Sequence, residues 1–360
     1  MRIVQLTSTS AGGVARHARQ VSALLSGAGD RVLLAGPPDV VADSPVPTAV
    51  VDIADRPRPS DVGALRRLRR LITGADLVHA HGLRAGAAAA LAARSLRRRP
   101  AVVVTLHNLP VGGPRVQAVA ALLERVVARG ADLVLGVSGD LVARMARLGS
   151  ESRRALVPAP PHRGPARLTE EDRRELRAEL GLAAGERLVL TVGRLAPQKG
   201  LDLLCDAAAE LVRTGAPALR WVVVGDGPLE GRLRERAAAE QLPVVVAGRR
   251  ADVPALMAAA DVVVSTSTWE GQPLAVQEAL QAGSAVVATD VGGTREVTAD
   301  AAVLVPPAPG PLAAAVARVL TDDAERTRLE RAARARAPEL PTPDDVLDQL
   351  RRCYAGLLTG

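Results

Sequence analysis

Short runs rich in valine and leucine alternate with longer segments of alanine, leucine and arginine along almost the whole chain, and few folds accept that alternation. Runs of four to six such residues are long enough for strands, and the segments between them suit helices. Repeated strand–helix alternation is the pattern of a parallel sheet covered on both faces. In the first half the expected strands are Arg2–Leu6, Arg31–Ala35, Asp76–Ala80, Ala101–Leu106 and Asp132–Val137, with helical segments such as Val14–Gly27 and Leu83–Leu96. A proline-rich stretch, Val157 to Pro165, can continue neither element for long and reads as a linker. A second series then follows, with strands at Arg187–Val192, Arg220–Val224, Val244–Ala247, Asp261–Ser265 and Ala285–Ala288, and a last amphipathic helix from Pro343 to Leu358. At 360 residues the chain exceeds one ordinary core. The expected class is therefore α/β: two Rossmann-like, doubly wound domains at 1–160 and 161–342, with 343–360 as a closing helix. Two such domains place a crevice between the carboxyl ends of their sheets, where ligands of open parallel sheets bind.

Several function classes are set aside by composition. The opening MRIVQLTSTSAGG reads as a strand entering a turn rather than a leader's apolar core. The longest apolar stretches, such as Ala85–Ala93, fall short of the roughly 18 residues of a membrane span. Cys205 and Cys353 make no metal spacing and no disulfide framework, in keeping with a reducing compartment. A cytoplasmic protein is expected, with peripheral attachment to the inner face of the membrane left open. The net charge of +7 comes partly from arginine runs at 66–70 and 97–99, which read as solvated helix faces. With no Phe and one Tyr there is little to stack bases, so no nucleic-acid partner is expected. Of 46 basic residues only Lys199 is a lysine, and Asn108 is the single asparagine. Such survivors of a GC-rich drift mark places to inspect.

Lys199 stands in Gly193-Arg194-Leu-Ala-Pro-Gln-Lys199-Gly200, between a strand and a helix. Two cations astride a strand-to-helix turn suit a diphosphate: arginine offers a fork, lysine a point charge, and the helix start oriented N–H groups. The glycine spacing is not that of a Walker loop. Beyond the strand Asp261–Ser265 comes Trp269-Glu270-Gly271-Gln272-Pro273, then a helix carrying Glu278. Pro273 fits the first helical position, and Leu274, Ala275, Ala279 and Ala282 form the expected sheet-facing side. Carboxylates accept from sugar hydroxyls, although two glutamates near a helix start also suit its dipole at a plain surface. Gly12-Gly13 after the first strand lets a ligand approach the backbone, or simply makes a tight turn. His79, His81 and His107-Asn108 stand at carboxyl ends of first-half strands. One of His79 and His81 is expected to be structural and His107 functional; metal binding is not expected, because no cysteine or carboxylate motif accompanies them. Gly225-Asp-Gly227-Pro-Leu-Glu-Gly231 imitates a dinucleotide fingerprint, but its third glycine is one place late and no ribose-binding acid follows the next strand.

Taken together, these motifs resemble glycosyltransferase family 4, the retaining enzymes of the GT-B fold. The resemblance spans nearly the whole chain: Glu270 to Glu278, Gly292-Gly293, Gly193-Arg194 with Lys199-Gly200, Gly225-Asp-Gly227, Gly12-Gly13, and Asp76 to His81 stand in the family's order. It implies transfer of a hexosyl group from a nucleotide-diphosphate sugar to an acceptor hydroxyl, with retained anomeric configuration, no metal and no further cofactor. The implied donor site takes in Gly13, Arg194, Lys199, Glu270, Gly271, Leu274, Ala275 and Glu278. Within it Arg194 and Lys199 hold the diphosphate, Glu278 the ribose, and Glu270 lies by the hexose. His107, with Glu270, Arg194 and Lys199, is implied in turnover, and His79, His81 and Arg84 on the acceptor side. The last helix is expected to cross back to the first domain. Gln272 and Pro273 depart from the family's aromatic-then-glycine, so the hexose is not readable. Neither is the acceptor, lipid-linked or small and soluble. Two readings compete: another sugar-nucleotide enzyme of this fold, an epimerase or phosphorylase, and a non-catalytic nucleotide-binding or NAD-dependent protein.

Overall fold

The computed structural model describes residues 1–8, 13–42, 44–53, 61–110, 113–160 and 168–359. Contacts divide the chain into two units: Met1–Val157 together with Pro341–Gly360, and Pro158–Leu340. The sequence placed these divisions at 160/161 and 342/343. The linker stretch from 161 to 167, like Ala11 and Gly12, lies outside the described residues.

The first unit carries a seven-stranded parallel sheet: β1 (Arg2–Thr7), β2 (Arg31–Gly36), β3 (Thr48–Val50), β4 (Leu77–His81), β5 (Ala101–Leu106), β6 (Leu133–Gly136) and β7 (Ser152–Arg154). Their order is β3-β2-β1-β4-β5-β6-β7. The second unit has β8 (Arg187–Val192), β9 (Leu219–Val224), β10 (Val244–Gly248), β11 (Val262–Ser265), β12 (Val286–Thr289) and β13 (Val303–Val305), ordered β10-β9-β8-β11-β12-β13. In each sheet the winding reverses once, between β1 and β4 and between β8 and β11. Loops leaving the carboxyl ends of such a pair diverge and open a ligand site.

The core follows from two-residue periodicity. In the second sheet Val189, Trp221, Val223, Val262, Val264 and Val287 pack on one face, and Leu188, Leu190, Val222, Val263, Val286 and Ala288 on the other. Trp221 is fully buried, and its indole donates to Thr191 Oγ1 at 2.9 Å. That hydroxyl donates in turn to the Val264 carbonyl at 2.8 Å. The largest buried side chain thus leaves no polar atom unpaired.

Two differences from the sequence reading have physical causes. Asp76, Asp132 and Asp261 do not begin strands. Each stands just before one, and its carboxylate accepts an N–H from the first or second residue of a neighbouring strand: Arg2, Val102 and Leu188, all at 2.7 Å. An aspartate that takes over an edge N–H gains a charge-assisted bond that strand pairing would not give it. Three strands escaped detection, β3, β7 and β13. All lie at sheet edges and have three residues each, too few to show a period.

Candidate functional site

In the second unit the chain leaving β8 is pinned against the chain leaving β11. Gly193 N–H donates to the Val224 carbonyl at 3.0 Å and Leu195 N–H to that of Asp226 at 2.7 Å, so the Gly225-Asp-Gly227 turn supports Arg194 rather than a dinucleotide. A short 3-10 turn, Pro197–Lys199, then ends at Gly200 in the left-handed region, φ 62°. A Cβ there would sit 2.0 Å from the Thr266 carbonyl oxygen, so only glycine lets the two loops touch. They are stitched together: Thr266 Oγ1 donates to the Lys199 carbonyl at 2.7 Å, Thr268 N–H to that of Gln198 at 2.9 Å, and Gln198 Nε2 to that of Trp269 at 2.8 Å.

This contact brings Lys199 to Glu270. Lys199 Nζ donates to Glu270 Oε1 in an ion pair, and Ser267 Oγ donates to the same oxygen at 2.6 Å. Glu270 is only 6% exposed. Arg194 is exposed, and its side chain makes no hydrogen bond or ion pair among the described residues. The hollow between the loops is lined by Arg194, Lys199, Ser267, Glu270, Pro273 and Ala275, among others. Gly271, Leu274 and Glu278 stand in the same segment, outside that lining.

The helix that closes the hollow corrects two expectations. Pro273 precedes it, with ψ 97°, and the helix runs Leu274–Gln281, with no side chain capping its first turn. Its buried side is Val276, Gln277, Ala279 and Leu280; of the expected sheet-facing residues Ala279 is buried, Ala275 and Ala282 are half-buried against the core, and Leu274 is half-buried. The rotation follows from Gln277. Its Oε1 accepts the Ala159 N–H at 3.1 Å, which draws a polar residue to the buried face. Glu278 projects from the second turn, half-buried.

The first unit gathers histidines at its own switch point. His79 is fully buried, with Nδ1 2.6 Å from Tyr354 Oη and Nε2 2.7 Å from Thr105 Oγ1. Both of its nitrogens are bonded within the fold, as those of a structural histidine are. His81 Nε2 lies 2.8 Å from Gln5 Oε1 and its Nδ1 3.3 Å from His107 Nε2. Gly13 opens the helix Gly13–Gly27, and a Cβ there would meet nothing within 4 Å. Arg84 stands half-buried on the first turn of the helix Leu83–Arg94.

The sequence reading passed over His17, on the buried side of the helix Gly13–Gly27 and 5% exposed. Its ring centroid is 5.6 Å from that of His81 and 5.2 Å from that of His107. Burial holds these imidazoles neutral: His17 is lowered to about 4, by desolvation and then Arg16, and His79 to about 3, by desolvation and then His17. His81 and His107 are lowered well below the usual value by burial and then by neighbouring histidines.

A pH dependence follows. The unfolded histidines take up protons near pH 6.5, whereas His17 and His79 resist protonation in the fold until about pH 4 and 3. Between those values the unfolded chain holds more protons, so stability falls as pH falls, by about 1.4 kcal/mol per pH unit per histidine. Urea midpoints measured from pH 7.5 to 4.5 should drop below pH 6.5, and less steeply in His79→Gln. A flat profile would contradict the buried neutral cluster.

Residues 172–336 match the glycosyl transferases group 1 family, and residues 12–160 match the glycosyl transferase 4-like domain. The D-inositol 3-phosphate glycosyltransferase of Nocardia farcinica (strain IFM 10152) is 30% identical over 307 residues, which are 80% of this chain and 66% of that protein. The alpha-D-kanosaminyltransferase of Streptomyces kanamyceticus is 33% identical over 168 residues, 45% of this chain and 43% of that protein. The chain thus spans less than two thirds of the length of these relatives. The Anabaena protein HepE, solved in complex with UDP, superposes with a TM-score of 0.81 at 22% identity, over 99% of this chain and 100% of that one.

Proposed function

We propose, on the premise that this chain belongs to glycosyltransferase family 4 and has the GT-B fold, that it transfers a hexosyl group from a nucleotide-diphosphate sugar to an acceptor hydroxyl. The observation that carries this reading is the convergence of Arg194, Lys199 and Glu270 on one hollow at the ends of β8 and β11. Breaking a glycosyl–phosphate bond leaves negative charge on the departing diphosphate and positive charge at the anomeric carbon. Arg194, with no competing ion pair among the described residues, and Lys199, already held in place, meet the first of these charges. The buried Glu270 lies where the hexose would sit, and Glu278 serves the ribose. His107 is assigned to turnover, and His81 and Arg84 to the acceptor, as the family implies. Retention of anomeric configuration and chemistry without a metal are part of the same reading, as the family implies.

The acceptor is either small and soluble or held at a membrane surface. No described helix is long and apolar enough to cross a membrane. The helix Pro114–Gly130, however, exposes Val116, Val119 and Leu122, and the chain carries a net charge of +7. Those features suit a peripheral place on anionic lipid.

Calorimetry with UDP, GDP, ADP and NAD tests the reading first. Binding of a nucleoside diphosphate without NAD is expected, and NAD binding alone would overturn it. A panel of sugar nucleotides should then release free nucleoside diphosphate faster when acceptor sugars are added, in solution or in anionic vesicles. The arm that accelerates identifies the acceptor class.

A further inference from the structure

Three imidazoles converge in the first unit, and a hydrogen bond joins only two of them, His81 and His107. His17 comes from the first turns of the helix Gly13–Gly27, His81 from the end of β4, and His107 from the residue after β5. One ring nitrogen of each lies within 4.8 Å of the others. Nδ1 of His81 and Nε2 of His107 are 3.3 Å apart. Nitrogens bound tetrahedrally at a zinc–nitrogen distance of roughly 2.0–2.1 Å stand about 3.4 Å from one another. One edge of such a site therefore already has ligand spacing, and the remaining edges need to close by about 1.4 Å at most.

The surroundings suit the same three residues to a ligand. The amide oxygen of Gln5, which can only accept, lies 2.8 Å from His81 Nε2. That contact places the His81 proton on Nε2 and leaves the Nδ1 lone pair toward His107, as outer-shell partners of metal-bound histidines do. Gln5 is itself fully buried on β1. His17 is 5% exposed, and its Nδ1 is buried with no hydrogen-bond partner among the described residues. A buried ring nitrogen that no protein atom answers is a group awaiting a ligand.

We propose that His17, His81 and His107 form a three-histidine site for a divalent transition cation, zinc in the first instance. Three imidazoles leave a fourth position for water. Magnesium and calcium, which prefer oxygen ligands, are excluded by the donor set. A cation held there takes His107 away from the sugar, so it inhibits transfer instead of assisting it. That consequence rests on the role given to His107 above; the site itself does not.

The test uses the full, untagged chain after treatment with a chelator, titrated with cobalt(II). One equivalent should bind, with the visible bands of four- or five-coordinate cobalt and no near-ultraviolet thiolate band. One equivalent of zinc should displace it, and magnesium should not. His17→Gln removes one ligand and no substrate contact. It should weaken cobalt binding by more than the roughly 10- to 100-fold that loss of an outer-shell partner costs. Zinc should inhibit transfer by the natural chain and spare the variant. Absence of stoichiometric cobalt, a thiolate band from Cys205 or Cys353, or an unaltered titration of His17→Gln would each overturn the site. The cobalt titration of the natural chain decides the matter even if the variant folds poorly. Cobalt bound as expected, with zinc leaving transfer untouched, would uphold the site and remove His107 from turnover.

Discussion

Lys199→Ala is expected to lower donor turnover by roughly 10²–10³-fold, the usual loss when one preorganised donor to a developing negative charge is removed. The magnitude rests on how firmly the ammonium is held. The turn Pro197–Lys199 is clamped to the loop after β11, and Nζ is ion-paired with Glu270. The substitution also leaves Glu270, 6% exposed, with the Ser267 hydroxyl as its remaining donor to Oε1. Lost stability could therefore imitate lost catalysis. A double variant separates the two. Lys199→Ala with Glu270→Gln removes the orphaned charge, so the urea midpoint should return toward that of the natural protein while turnover stays low. The role of Lys199 on the diphosphate fails if the single variant keeps turnover within a factor of a few. It also fails if the double variant restores it.

How far the site could be read from the chain depended on sequence distance. Arg194 and Lys199 were legible because both follow one strand, where apolar runs and glycines mark the turn. The pairing of Lys199 with Glu270 was not. The two stand 71 residues apart, and only the adjacency of β8 and β11 brings them together. The long central strands were legible from their valines, while the three-residue edge strands carry no period to read. His17 was hidden for a related reason. On one helix face with Ala18, Val21 and Leu25, a lone histidine reads as core. Only the order β1-β4-β5 places it beside His81 and His107. One signal was present: the chain has five histidines, and rarity had already drawn notice to Lys199 and Asn108. Applied to histidine, the same argument would have drawn His17 toward the others. The departures at Gln272 and Pro273 also gain a location. Pro273 lines the hollow just before the helix Leu274–Gln281, where a residue without an N–H offers a ligand one backbone donor fewer.

The second large effect is expected from Gly292→Ala, which touches no substrate. Gly292 has φ 52°, a left-handed conformation costing a residue with a Cβ about 1–3 kcal/mol. Its added methyl would also sit 1.9 Å from the carbonyl oxygen of Glu270. That oxygen is already fixed by the Gly293 N–H at 2.8 Å, and the neighbouring Ser267 carbonyl by Thr289 Oγ1 at 2.6 Å. The collision cannot be relieved by rotating a side chain. The turn must part from the segment that carries Glu270, and a shift of about 1 Å in a positioned group can cost about 100-fold in rate. Gly292→Ala should therefore lower both the melting temperature and donor turnover. Gly231→Ala supplies the control. That glycine lies in the helix Glu230–Ala239 with nothing within 4 Å of its would-be Cβ, so alanine should stabilise there by roughly 0.5–1 kcal/mol. The same chemical change thus has opposite signs at two places in one unit. If Gly292→Ala melts and turns over like the natural protein, the Gly292-Gly293 turn does not set the position of Glu270.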